Sequence, residues 1–115
     1  MTITPGQVYW SVHRDKSHPV VVVSRDSLNL GTRVVVVPLT TARLEERRSL
    51  KNCVYLDPRK HGVPKPCVAH TEAIASIPTD ELTVDQGPIT TINDETMREL
   101  VRAIGYMFGA ECEPE

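Results

Sequence analysis

Hydrophobic residues in this 115-residue chain come in short runs separated by polar, turn-forming stretches. Residues 7–12 (QVYWSV) predict a first strand, entered through the turn signal Pro5-Gly6. Valine runs at 20–23 and 34–37 predict a second and a third. Such runs are β-branched throughout and lack polar alternation, which predicts strands covered on both faces. Between them, Asp26, Ser27, Asn29 and Gly31 form a turn-rich connection that suggests an antiparallel pair. Further strands are expected at 52–56, 66–74 and 89–92, with Cys67, Ala69 and Thr71 on one face of the fifth. Segment 43–51 (RLEERRSLK) reads as a loop or short helical turn, and the proline-rich segment 58–66 as another loop.

One helix is well signalled. Asn93 is a suitable N-cap, and Asp94 and Glu95 suit the positive end of the helix dipole. Met97, Leu100, Val101, Ile104, Met107 and Phe108 then recur at helical spacing and predict a single apolar stripe facing a core. Gly109 is a natural stop. Five or six short strands and a terminal helix predict a mainly β fold, a strongly bent sheet or half-open barrel plugged by that helix.

Composition narrows this picture. The length fits one domain over residues 1–115. No apolar run approaches the length of a membrane span, and the N-terminus MTITPGQVYW has no basic region leading into an apolar one. Neither a membrane partner nor secretion is expected. Cys53, Cys67 and Cys112 are odd in number and irregularly spaced, which argues for free thiols in a reducing cytoplasm. The net charge of −2 argues against a protein that coats nucleic acid, while leaving room for a local basic groove.

Candidate chemistry concentrates in VHRDKSHPVVVVSRD, residues 12–26. A buried strand explains the valines, but not His13, Arg14, Lys16 and His18 crowded at its mouth. A histidine titrates near neutrality and can exchange protons, whereas fixed cations bind phosphate. Cys53, His61, Cys67 and His70 are spaced C-x₇-H-x₅-C-x₂-H, which fits no zinc pattern, so no metal and no cofactor are expected. Cys53 and Cys67 read as small core residues. The five aromatic side chains are too few for a wide base-stacking platform, although Trp10 or Tyr55 can stack a single base.

The order of GQVYW, HPVVVVSRD, VVVVPLTT and ITTINDETMRELVRAIGYMFG resembles the MazF/PemK toxins of bacterial toxin–antitoxin modules, over roughly residues 5 to 108. The resemblance implies a small SH3-like (CcdB/MazF-type) half-open barrel. It also implies a homodimer, a separate cognate antitoxin chain, and metal-independent cleavage of single-stranded RNA at specific sequences. Thr40 matches the family's active-site threonine or serine, and Pro19 its strand proline. His18 stands where the family usually has arginine, and Ala73 and Ala75 where many members have glutamine and arginine.

That cleavage proceeds by 2′-hydroxyl attack, giving a cyclic phosphate and a 5′-hydroxyl. It needs a base, an acid and donors for the charged transition state. His18 and Thr40 are therefore the expected catalytic residues. Arg14, Lys16, Thr41, Arg43 and Arg47 are the expected substrate-binding ones, with Arg48 a weaker candidate beside them. Two rival readings remain. One is a catalytically silent member that only binds antitoxin. The other is a gyrase poison of the CcdB type, against which the acidic ending ECEPE argues.

Overall fold

The computed structural model describes residues 2–13 and 16–110. Seven strands form one curled sheet: β1 (Gln7–His13), β2 (Lys16–Val22), β3 (Arg33–Thr40), β4 (Cys53–Leu56), β5 (Cys67–His70), β6 (Ala75–Pro78) and β7 (Thr90–Thr91). The order is β4-β5-β3-β2-β1-β7, and β6 pairs with β3 beside β5. All pairings are antiparallel, with β2 and β3 joined as the valine pattern predicts. Three helices complete the fold: α1 (Leu44–Arg47), α2 (Pro58–His61) and α3 (Asp94–Met107).

Closure of the sheet explains the unbroken valines. After β6 the chain reaches β1, where Leu82 bridges Ser11 and the Thr83 N–H donates to the Trp10 carbonyl at 3.0 Å. The half-barrel so formed encloses one core of Tyr9, Val20, Val22, Val34, Val36 and Leu82. Neighbouring side chains on a strand point to opposite faces. Val21 and Val37 therefore enter a second core with Val8, Leu39, Val54 and Leu56, which Leu100 and Ala103 of α3 cover. Each valine run serves two cores at once.

Several expectations need correction. The fifth strand does not run through 66–74. Between the pairs Leu39–Ala69 and Val36–Ala75, three steps along β3 face six on the other side. The three extra residues form a 3₁₀ turn, Thr71–Ala73, which separates β5 from β6. Buried Thr71 holds that kink by donating its hydroxyl to the Asn52 carbonyl at 2.6 Å. The segment 58–66 is not only loop. Asp57 caps α2 by accepting from the Arg59 N–H at 3.1 Å, Pro58 opens the helix, and Gly62 ends it at φ 77°.

The apolar stripe of α3 is half correct. Asn93 does cap the helix, accepting from the Thr96 N–H at 2.8 Å. Its buried line, however, is Thr96, Leu100 and Ala103, whose small members let the helix lie close to the sheet. Val101 and Phe108 stay 60% and 67% exposed. No described helix is long and apolar enough to cross a membrane.

Candidate active site

β2 changes character along its length. Val20, Val21 and Val22 are buried, while Lys16, Ser17 and His18 before them are exposed. The strand thus carries its polar end out of the core, paired with Ser11, Val12 and His13 of β1. The sequence pattern missed this extension because an exposed strand shows no apolar run.

His18 lies at the meeting of two clefts. The first, about 460 Å³, is lined by His18, Thr40, Thr41, Trp10, Ser17 and Lys65, among others. Two expected groups, the His18 imidazole and the Thr40–Thr41 hydroxyls, are thereby brought to one cavity. Trp10 faces Pro19 across the β1–β2 pair, and β3 delivers Thr40 at its last residue. The Thr40 oxygen accepts from the Ala42 N–H at 3.1 Å. A hydroxyl has one donor and two acceptor positions, so this bond leaves its hydrogen available to a ligand. The second cleft, about 420 Å³, is lined by His18, Ser11, Arg33, Ser76 and Glu81, among others. The Arg33 guanidinium is fixed there by donating to the Ser76 hydroxyl at 2.9 Å and its carbonyl at 2.7 Å.

The remaining expected residues stand apart. Lys16 is exposed two residues before His18 and lines neither cleft. Arg43 sits at φ 53°, ahead of α1, with its side chain 3.9 Å from Glu46. Arg47 donates to the Ala42 carbonyl at 3.3 Å, bracing the turn that follows Thr40 rather than entering the cleft. Arg14 lies outside the described residues, as does Cys112.

Lys65 and Arg33 were not singled out in the sequence. Lys65 sits between two prolines in what reads as a plain loop, and Arg33 opens a valine strand. Neither has a local signal; only the curl of the sheet brings them beside His18.

Cys67 also borders the first cleft, but burial pushes its thiol up to about 11, so it is a neutral side chain near pH 7 rather than a nucleophile. His61 is committed elsewhere, accepting at Nδ1 from the Asp57 N–H at 2.9 Å. The His70 Nε2 is 3.7 Å from Glu72, whose carboxylate also accepts from the Asn52 amide at 3.0 Å. Among the described residues, no three histidine, cysteine or carboxylate side chains are grouped to hold a metal ion.

Known proteins share this fold. The family model for the PemK-like, MazF-like toxin of type II toxin–antitoxin systems matches residues 5–108. An endoribonuclease from a mycobacterial species, in complex with its cognate antitoxin, superposes with a TM-score of 0.78 at 24% identity, over 96% of this chain and 99% of that one. The Mycobacterium tuberculosis toxin MazF-mt6 gives 0.76 at 25% identity, over 92% and 99%. A MazE-MazF structure from Deinococcus radiodurans gives 0.72 at 15% identity, over 95% and 97%, a likeness of fold alone. No curated protein matches the chain.

Proposed function

The chain belongs to the PemK-like, MazF-like toxins of type II toxin–antitoxin systems, and from that premise we propose that it is an endoribonuclease acting on single-stranded RNA without a metal. The observation that carries the proposal is the convergence of His18, Thr40, Thr41 and Lys65 on one cleft. Transfer of the phosphoryl bond from the 5′-oxygen to the 2′-oxygen needs one proton removed, one supplied, and the phosphorane charge held. His18 takes the proton from the attacking 2′-hydroxyl and delivers it to the departing 5′-oxygen. Thr40 donates its hydroxyl to a non-bridging oxygen, with Thr41 beside it. Lys65 supplies the fixed positive charge, and Lys16, on the same face of β2 as His18, adds to the local potential. Arg14 belongs to the same polar stretch of the sequence and is assigned to the phosphate on that ground. Trp10 offers a ring for one unstacked base.

Two observations argue against giving Arg43 and Arg47 a direct part. Neither lines the cleft, and the Arg47 guanidinium is turned onto the Ala42 carbonyl. Their role in this reading is to shape the turn that presents Thr40. The family and the antitoxin-bound mycobacterial relative support inhibition by a separate antitoxin chain; in this reading the protein works as a homodimer in the cytoplasm.

The test is incubation of the antitoxin-free protein with a long single-stranded RNA in excess EDTA. Discrete cuts with 5′-hydroxyl ends and 2′,3′-cyclic phosphates are expected. Cuts that vanish on chelation, or ends carrying a 5′-phosphate, would exclude this chemistry. Absence of any cut from folded protein would favour the silent, antitoxin-binding reading.

A further inference from the structure

A cleft of about 470 Å³ lies between β4 and α3, lined by Arg48, Lys51, Arg102, Tyr55, Tyr106 and Glu99, among others. It shares no lining residue with either cleft at His18. Three cations thus gather at one opening in a chain whose net charge is −2. They come from two elements far apart in sequence, the segment after α1 and the middle of α3.

Two of these cations are held in place by aromatic rings. The Arg48 guanidinium lies 4.0 Å from the centre of the Tyr55 ring, and the Lys51 ammonium 5.6 Å from that of Tyr106. A cation over a ring face keeps its charge and its donors while losing conformational freedom. It is then pre-arranged for an anion and gives up less entropy on binding. Opposing charge is limited. Glu99 is the carboxylate of the lining, and Glu45 meets Arg48 at 3.4 Å with 79% of its own side chain exposed. An exposed pair of that kind is worth little and exchanges readily for a stronger anion.

We propose that this cleft is a second binding site for the phosphate backbone of single-stranded RNA, remote from the scissile phosphate. The inference rests on the endoribonuclease reading above and names a further part of the same substrate. A polyanion suits three cations spread around one opening better than a single small anion does. An acidic peptide suits it less. β4 is a four-residue edge strand, and its Cys53 N–H is already given to the Leu50 carbonyl at 3.1 Å, so little backbone remains for strand addition. Arg48 and Lys51 each occupy one face of a tyrosine ring, so phosphate contact is the feature this lining favours.

The experiment measures affinity for a mixed-sequence single-stranded RNA, fully 2′-O-methylated so that it cannot be cut, across a salt series. Wild type is compared with the combined Arg48→Gln, Lys51→Gln, Arg102→Gln variant. A control changes the same number of exposed cations elsewhere: Arg25→Gln, Arg59→Gln and Lys60→Gln. Each single-strand phosphate contact contributes about 0.7 to the slope of log affinity against log salt, so losing three lowers the slope by about 2. Between about 50 and 200 mM salt, wild type should therefore lose roughly 15–20-fold more affinity than the variant. The control should keep a slope near wild type. An unchanged slope in the cleft variant, or an equal drop in the control, overturns the site while leaving the nuclease reading intact. Failure of wild type to bind the RNA at all overturns the nuclease reading instead. Binding of a polyglutamate peptide that the cleft variant abolishes, with RNA binding unaffected, makes the cleft a peptide dock and overturns the assignment. Thermal unfolding of each variant shows whether it is folded; if the combined variant is not, the three single variants, each lowering the slope by about 0.7, carry the same test.

Discussion

The cleft at Thr40 and the cleft at Arg48 stand on neighbouring strands of one sheet yet differ in kind. Thr40 pairs with Val68, and Val68 with Tyr55, so the two lie two strand spacings apart, about 10 Å. α1 packs against β5 between them. The Thr40 side holds an imidazole, hydroxyls and one lysine. Its neighbour holds three cations and two tyrosines, and no histidine or threonine. A reaction at phosphorus needs a group that gains and loses a proton near neutral pH. Grip on a polyanion needs fixed charge and nothing that titrates. In the proposed reading the sheet places these requirements in separate clefts, so each should be removable without the other.

The largest effect expected follows from that separation. His18→Ala should lower the cleavage rate at saturating RNA by about 10²–10⁴-fold, the usual contribution of a positioned acid or base. Affinity for the non-cleavable RNA should stay within about threefold. The Arg48 cleft variant should show the converse, a raised KM with kcat little changed. Single-turnover kinetics beside direct binding measure both. If His18→Ala weakens binding and rate in proportion, the two clefts are one continuous surface and the contrast between them fails.

A core substitution should break both clefts together. Leu56 is 2% exposed, ends β4 and pairs with Cys67 of β5, so it underlies the frame the clefts share. Leu56→Ala should cost about 2–5 kcal/mol, the transfer loss plus the cavity left behind. Urea unfolding measures it, and RNA binding and cleavage should then fall at the same temperature. Thr40→Val is the finer cut. Losing one hydrogen bond to a charged oxygen costs about 1.5–3 kcal/mol, or about 10–150-fold in kcat, with stability almost unmoved.

How much of this was legible without coordinates follows the same division. Strand pairing of the valine runs, the Asn93 cap and the half-barrel were readable because apolar periodicity and cap chemistry are local. The kink at Thr71 was not, because it answers a register mismatch with β3 that no stretch of 66–74 records. That His18 and Thr40 would lie near one another was readable through the order of motifs that contain them; the cleft they share is the structural fact. Lys65 and Arg33 were invisible, since a lysine between prolines and an arginine before valines have ordinary solvated explanations. The placing of Val101 and Phe108 on the buried face of α3 failed for a related reason. Periodicity finds an apolar stripe, but the small residues Thr96 and Ala103 decide which edge of it meets the sheet.

The two described cysteines give the smallest and most local comparison, one in each cleft. Burial pushes the Cys67 thiol in the Thr40 cleft up to about 11 from 9.0. Burial also raises Cys53 in the Arg48 cleft, where Arg47 pulls it down and Glu72 pushes it up. Below pH 9 the Cys67 thiol is protonated in both folded and unfolded chains, so its burial contributes its full share of stability. As pH rises past 9.0 the unfolded chain releases its proton first, and that share is lost progressively until the folded thiol ionises near 11. Wild type should therefore lose more stability than Cys67→Ala between about pH 8 and about pH 10, by denaturant midpoint. Cys53→Ala should retain most of the wild-type loss, because the Arg47 guanidinium partly offsets the burial of that thiol. Equal slopes for wild type and Cys67→Ala would mean that water reaches Cys67 through the Thr40 cleft. That side would then be open to solvent down to β5, and the contrast between a thiol raised by burial alone and one balanced by neighbouring charges would be lost.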